Sequence, residues 1–224
     1  MPSHLPSLPN KPLRETVYTG LKRQILSGQL PPGTRLIESS LAAEMKASRT
    51  VIREVIKQLE LEGFVRITPY KGTEVVRFSL QDITEIYAIQ AALEGMAAGL
   101  AAQRMDRKEQ EELRRIQKQL CRSIHQDAAA WQKLNVRFHQ FFLERSANRR
   151  LQSLIKNHRD QFARYWRIIL SIPGQRERNT KDHEKILQAL GKRNPLKVRL
   201  AMEEHIQQAA NHLTAFLQKH SFLL

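Results

Sequence analysis

Residues 48–76, SRTVIREVIKQLELEGFVRITPYKGTEVV, switch hydrophobic period halfway along, and that switch decides the fold. From Ser48 onward, Val51, Ile52, Val55, Ile56 and Leu59 recur at three- and four-residue spacing, which places them on one helical face. Ser48 is a good N-cap and Gly63 a natural stop. Beyond Gly63 the period shortens. Phe64, Val65 and Ile67, then Thr73, Val75 and Val76, read as two short strands joined by Pro69-Tyr70-Lys71-Gly72 as a tight turn. Upstream, a short helix after Glu38 holds Leu41, Ala42 and Met45, and the turn Leu30-Pro31-Pro32-Gly33 precedes it. A first helix fits Leu13–Ser27, with Val17, Leu21 and Ile25 on its apolar stripe and Gly28 as its end. Three helices followed by a hairpin are the plan of a winged helix-turn-helix domain.

From Ser79 onward the sequence gives no convincing strand. Ser79 caps a long helix to about Arg104, with Ile83, Ile86, Ile89, Leu93, Met96, Ala97 and Leu100 expected inward. Asp106 caps a second helix to about Ile124, and Asp127 a third to about Ser146. Asn148 starts a fourth that carries Leu151, Leu154, Ile155, Phe162, Tyr165 and Ile169, broken by Pro173-Gly174. A fifth spans roughly Thr180–Leu190, and Asn194-Pro195 opens a last helix to about His220. Six helices with short connections predict an antiparallel bundle. The expected fold class is therefore mainly α, a winged helix-turn-helix followed by an all-α six-helix bundle. Residues 1–10, with Pro2, Pro6 and Pro9, are expected as a flexible tail, 11–76 as the DNA-binding domain and 77–224 as the effector-binding and dimerisation domain.

Composition narrows the function classes. The 224 residues carry 37 Lys and Arg against 22 Asp and Glu, a net charge of +15, and 41% are hydrophobic, as in a folded globular protein. The single cysteine, Cys121, excludes a disulfide framework and a cysteine-rich zinc module. No apolar run approaches the roughly 18–20 residues of a membrane span. Met1–Asn10 lacks both the cationic start and the apolar stretch of a signal peptide, so a cytoplasmic protein without membrane contact is expected. Residues 1–76 hold 11 basic and 7 acidic side chains, net +4, and residues 77–224 hold 26 and 15, net +11. Charge alone would put a polyanion on the second part; the motifs put DNA on the first, and affinity depends on local placement.

The candidate DNA contacts are Ser48, Arg49, Thr50, Arg53, Lys71 and Gly72. Ser48, Arg49 and Thr50 open a helix, where backbone N–H groups and the helix dipole attract phosphate. Arg49 and Arg53, four apart, share the face opposite Ile52, Val55 and Ile56, and arginine reads guanine bidentately in the major groove. Lys71 and Gly72 would reach DNA from the hairpin tip. An isolated Arg-x3-Arg is usually a pair of solvated charges; the turn, helix pair and hairpin around this one reverse that expectation.

Leu30-Pro31-Pro32-Gly33-Thr34-Arg35-Leu36, Leu41-Ala42, Ser48-Arg49-Thr50, Arg53-Glu54 and Leu59-Glu60-Leu61-Glu62-Gly63-Phe64-Val65 resemble the GntR family of bacterial transcription regulators. The resemblance covers residues 13–76 and departs at Val51, where proline is usual, and at Val55, where alanine is common. The remainder resembles the FCD sensor domain of the FadR branch, in its shorter VanR-like form, on Leu93-Glu94, the small-residue stretch Ala97-Ala98-Gly99-Leu100-Ala101-Ala102, Asn135-x3-His139, Asn148, His183 and His205. That resemblance implies a divalent metal on His139, His183 and His205, with Asn135 standing where the pattern has aspartate. Three imidazoles suit zinc or nickel better than magnesium. It also implies a small-molecule effector, a carboxylate in many relatives. Gln90 stands where such relatives carry an arginine, and since an amide forms no bidentate ion pair with a carboxylate, either the ligand is less anionic or another arginine such as Arg164 serves. The function expected is operator binding by a homodimer on a short palindrome, modulated by a metabolite in the metal-containing domain. A metal-dependent enzyme built on the bundle, and a basic protein that binds DNA without sequence preference, are the alternatives.

Overall fold

The computed structural model describes residues 13–77, 79–163 and 165–220, so the expected tail at 1–10 and Arg164 lie outside the described residues. Two compact units divide the chain after Arg77.

In the first unit α1 (Leu13–Leu26), α2 (Glu38–Glu44) and α3 (Arg49–Leu61) surround one core. Val17, Leu21 and Ile25 from α1 meet Ile52, Val55, Ile56 and Leu59 from α3, all buried. Ser48 caps α3 by accepting a hydrogen bond from the Val51 N–H. The wing is β2 (Val65–Thr68) paired antiparallel with β3 (Gly72–Val75). A third strand, β1 (Arg35–Leu36), pairs with β3 and gives the order β1-β3-β2. Two residues leave no periodicity, so β1 was not expected. Gly72 opens β3 at φ 93° and so lies just past the tip, whereas Lys71 is in the turn itself.

In the second unit the expected caps hold. Ser79 caps α4 (Leu80–Arg104), Asp106 caps α5 (Arg107–Ser123) through a reciprocal capping box with Glu109, Asp127 caps α6 (Ala128–Arg145), and Asn194 caps α10 (Pro195–Lys219). The helix expected from Asn148 is two: α7 (Arg149–Ala163) and the short α8 (Trp166–Ser171). The next, α9 (Gln175–Gly191), starts five residues before the expected Thr180. The described residues of this unit thus form seven helices where six were expected.

One face of α4 also differs from expectation. Ile89 and Met96 are 51% and 47% exposed, while Tyr87, Gln90, Gly95, Ala97, Ala98, Gly99 and Ala101 are buried. Gly95 and Gly99 face α10. A methyl group on Gly99 would sit 3.2 Å from the Arg199 Cβ and 3.4 Å from the Pro195 carbonyl, and one on Gly95 would collide with the Glu203 side chain. The two long helices therefore pack backbone to backbone, and a larger residue at either glycine must part them. Gly95→Val is expected to destabilise the protein by about 1–3 kcal/mol, the usual cost of overpacking. Glu203→Ala in the same chain should recover part of that loss; urea midpoints of the two variants measure both.

Candidate DNA-reading face and metal centre

The first unit places Arg49 and Arg53 on the exposed face of α3, with 65% and 60% of their side chains accessible. Both reach Glu38 at the start of α2. Arg53 Nε donates to Glu38 Oε2 at 2.7 Å, and Arg49 Nη2 lies 4.0 Å from the same oxygen. Exposed pairs of this kind contribute about 0–1 kcal/mol, so they orient the arginines without locking them away from another partner. Thr50 is exposed beside them. Lys71 is exposed on the wing, and Arg35 of β1 donates to its carbonyl at 2.7 Å. Arg35 is thus a further cation on the wing. Sequence reasoning passed over it because only the β1–β3 pairing brings it there.

The second unit gathers the three histidines from three helices: His139 from α6, His183 from α9 and His205 from α10. One ring nitrogen from each lies within 4.8 Å of the others. His183 Nε2 and His205 Nε2 are 3.3 Å apart, the separation of two nitrogens bound to a tetrahedral ion at about 2.0 Å each. His139 donates its Nδ1–H to Glu94 Oε2 at 2.6 Å, which leaves its Nε2 lone pair available on the other side of the ring. The neighbouring carboxylate on His205 is looser, with Asp182 Oδ2 at 3.8 Å from Nδ1. Phe138 stacks on His183 with ring centroids 3.9 Å apart and planes 6° apart, fixing that imidazole's plane.

Asn135, one turn before His139, is buried, and neither its amide oxygen nor its nitrogen has a hydrogen-bond partner. It lines a cavity of about 40 Å³ together with Gln90, Glu94, His139, Arg159, Asn179 and His205. A buried amide left unsatisfied costs about 1–3 kcal/mol, so an amide aimed into a polar cavity fits a site that holds a ligand. Three imidazoles and an amide oxygen are a donor set that a divalent transition metal accepts.

Gln90 lines the same cavity, but its amide is engaged on both sides. Its Nε2 donates to Glu94 Oε1 at 2.5 Å, and its Oε1 accepts from His158 Nδ1 at 2.9 Å. Its place in the geometry is to hold Glu94, which in turn holds His139. The cation on the cavity wall is Arg159 of α7. Sequence reasoning missed Glu94 and Arg159 as site residues. A faint signal for Arg159 existed in Leu151, Ile155 and Arg159, three positions at four-residue spacing that share a face of α7.

Burial keeps the His183 and His205 rings neutral. Burial pushes the His183 pKa well below its ordinary value, and the neighbouring His205 and His139 push it further down. Burial also lowers His205, with Asp182 opposing and His139 assisting. For Glu94, burial would raise the pKa, but the attraction of His139 and the hydrogen bonds from His139 and Gln90 outweigh it, leaving the carboxyl below its ordinary value.

A winged helix-turn-helix unit followed by an all-helical unit with a buried histidine centre defines a two-domain transcription regulator. The chain belongs to the GntR family of bacterial regulatory proteins, which it matches over residues 13–75, with an FCD domain over residues 85–208. It is 29% identical over 209 residues to YdhC of Bacillus subtilis, an HTH-type transcriptional regulator, spanning 90% of this chain and 91% of that protein. Against RspR of Escherichia coli, an HTH-type transcriptional repressor, it is 24% identical over 221 residues, 95% and 94% of the two chains. Among solved structures it is similar to McbR/YncC of Escherichia coli, with a TM-score of 0.67 at 24% identity over 94% of this chain and 100% of that one. A GntR family regulator from Pseudomonas syringae gives 0.55 at 25% identity, over 93% and 87%. The family and the relatives point to a regulator of transcription and not to an enzyme.

The neutral histidines have a consequence for stability. A ring whose folded pKa lies below its unfolded value of about 6.5 resists protonation in the native state and accepts it on unfolding. Stability is therefore complete above about pH 6.5 and falls below it, by at most about 1.4 kcal/mol per pH unit for each such ring. Both tryptophans, Trp131 and Trp166, lie in the second unit, so their fluorescence reports on it. Metal-stripped protein should show one melting temperature from pH 8 to 7 and a progressive drop from pH 6.5 to 5. A melting temperature flat through that range would overturn the neutral assignment.

Proposed function

We propose that the chain binds a palindromic operator as a homodimer and that a small anionic metabolite, bound at a metal-containing cavity in the FCD domain, modulates that binding. GntR-family regulators bind DNA operators, usually as dimers; the specific contacts assigned here are Ser48, Arg49, Thr50, Arg53, Lys71 and Gly72. Support for them is the exposed arginine pair at the capped start of α3, oriented by Glu38. Support for the dimer is the exposed apolar stripe Ile89, Ala92 and Met96 on α4, spaced to lie on one helix face. Two linked half-site readers gain affinity through effective concentration.

The observation that carries the sensor assignment is the approach of His183 and His205 through bare Nε2 atoms, beside a His139 whose other nitrogen is tied to Glu94. His139, His183 and His205 would hold a divalent transition metal, zinc or nickel, with Asn135 as a fourth, weaker ligand. Such an ion supplies a positive point for an oxygen of the ligand. The protein's own residues do the rest: Glu94 and Gln90 fix the His139 ring, Phe138 fixes His183, and Arg159 gives the cavity a second cation.

Two measurements test this function. Arg49→Ala should cost about 1–3 kcal/mol of operator affinity per half-site and relax the preference at one guanine. Gel shifts against operator and random duplex read both effects; an absence of sequence preference in the wild type would instead establish charge-only binding. For the metal, analysis after exposure to zinc or nickel should give one ion per chain, and His183→Ala should abolish it. Asn135→Asp should tighten binding by adding a negative ligand. A wild type that binds nothing, with Asn135→Asp no different, would leave the cluster as a polar cavity lining.

A further inference from the structure

The histidine cavity is too small to enclose a whole metabolite and can take only one end of it. Its 40 Å³ would take an ion and a water or two, since one water needs about 10–15 Å³, whereas ligand sites usually span about 300–1,000 Å³. A groove of about 580 Å³ lies beside it, between α6 and α7. Four of its lining side chains are cations, Lys133 and Arg137 from α6, Lys156 and Arg159 from α7, and none is acidic. Arg137 is partly neutralised from outside by Glu112 at 3.7 Å. Val136, Leu143 and Ile155 give the groove apolar wall, and Gln140 and Gln152 add amides whose Nε2 groups already donate to Glu144 Oε1 and the Leu143 carbonyl.

Groove and cavity share Val136 and Arg159. A second small cavity, lined by Glu94, His139, Gln140, Leu143, Ile155 and Arg159 among others, overlaps both. Arg159 thus borders all three spaces. The cations also account for part of the charge excess of residues 77–224, net +11, that DNA reading by the first unit leaves unused.

We propose that the groove between α6 and α7 is the outer half of the ligand site, and that it takes the phosphoryl group of a phosphorylated organic acid whose carboxylate reaches the histidine cavity past Arg159. This rests on the assignment of the histidine cavity as the effector site and adds the chemical class of the effector. A single carboxylate would use the inner cation and leave Lys133 and Lys156, with the partly neutralised Arg137, lining the groove without a ligand anion. A phosphoryl group carries a charge of about −1.5 to −2 and three acceptor oxygens, enough for several of these donors at once. The apolar wall between the two ends suits a short carbon chain.

The test uses full-length, zinc-loaded protein and two probes that differ only in the outer group, 3-phosphoglycerate and D-glycerate, titrated calorimetrically. The wild type should bind 3-phosphoglycerate at least tenfold more tightly than glycerate at low salt, with the advantage shrinking at 0.15 M salt. In Lys133→Gln/Lys156→Gln that advantage should vanish, while glycerate affinity and zinc stoichiometry stay as in the wild type. Both substitutions are at exposed side chains, and zinc stoichiometry confirms that the variant is folded. Equal affinity for the two probes in the wild type overturns the proposal, as does binding of neither, or an advantage that survives in the double variant. If the double variant lowers only the salt slope of DNA binding, the groove is a DNA-contacting face and the proposal falls. Loss of zinc binding by the wild type would count against the metal assignment, whereas intact zinc binding without phosphate selectivity counts against the groove alone.

Discussion

Everything in the second unit depends on how closely α4 can approach α10. Gly95 and Gly99 present bare backbone to Glu203, Arg199 and the Pro195 carbonyl, so the two longest helices lie against each other with little between them. Glycine inside a helix costs about 0.5–1 kcal/mol relative to alanine, and here the cost is offset by contact along 25-residue partners. The approach has a chemical result. Gln90 and Glu94 on α4 and His205 on α10 line the same cavity, and α6 and α9 then add His139 and His183 from the other sides. A wider spacing would separate the carboxylate from the rings it serves.

The centre so formed is polar and buried. Glu94 holds the His139 ring, His183 and His205 are held neutral by desolvation, and the Asn135 amide has no partner among the surrounding side chains. Such an arrangement is unfavourable as a core and favourable as a receptor. The polar atoms are already held in place by the packed helices, so an incoming cation meets donors that need little reorganisation. Hydrogen bonds from outside the cavity, Gln90 to Glu94 and His158 to Gln90, extend this order to α7, which also carries Arg159.

What the sequence disclosed was what is local. Ser48, Ser79, Asp106, Asp127 and Asn194 announce helix starts because a cap acts within three residues, and all five cap helices as expected. The histidines were visible as a spaced set through the family resemblance, and the structure brings all three together. What stayed hidden was set at long range. Strand β1 exists only through its pairing with β3. Ile89 and Met96 were placed inward because they are large and apolar, yet the face that packs needs small residues, and size decided against hydropathy. The first turn of α9 looks polar in sequence because Gln175 and Asn179 satisfy each other in the interior at 2.6 Å. Glu94 was legible as part of a motif but not as a histidine's partner, since a charged residue on a helix is by default solvated.

The three-stranded sheet has an architectural implication for anyone wishing to transplant specificity. Because β1 lies between the turn at Gly33 and the start of α2, and pairs with the wing strand β3, the wing is tied to the segment leading into α2 through hydrogen bonds between Val75 and both Gly33 and Thr34. A graft that exchanges only α3, or only residues 65–75, would carry over side chains without their alignment. The smallest interchangeable cassette runs from Gly33 to Val76, the span that keeps β1, α2, α3 and the wing hairpin together.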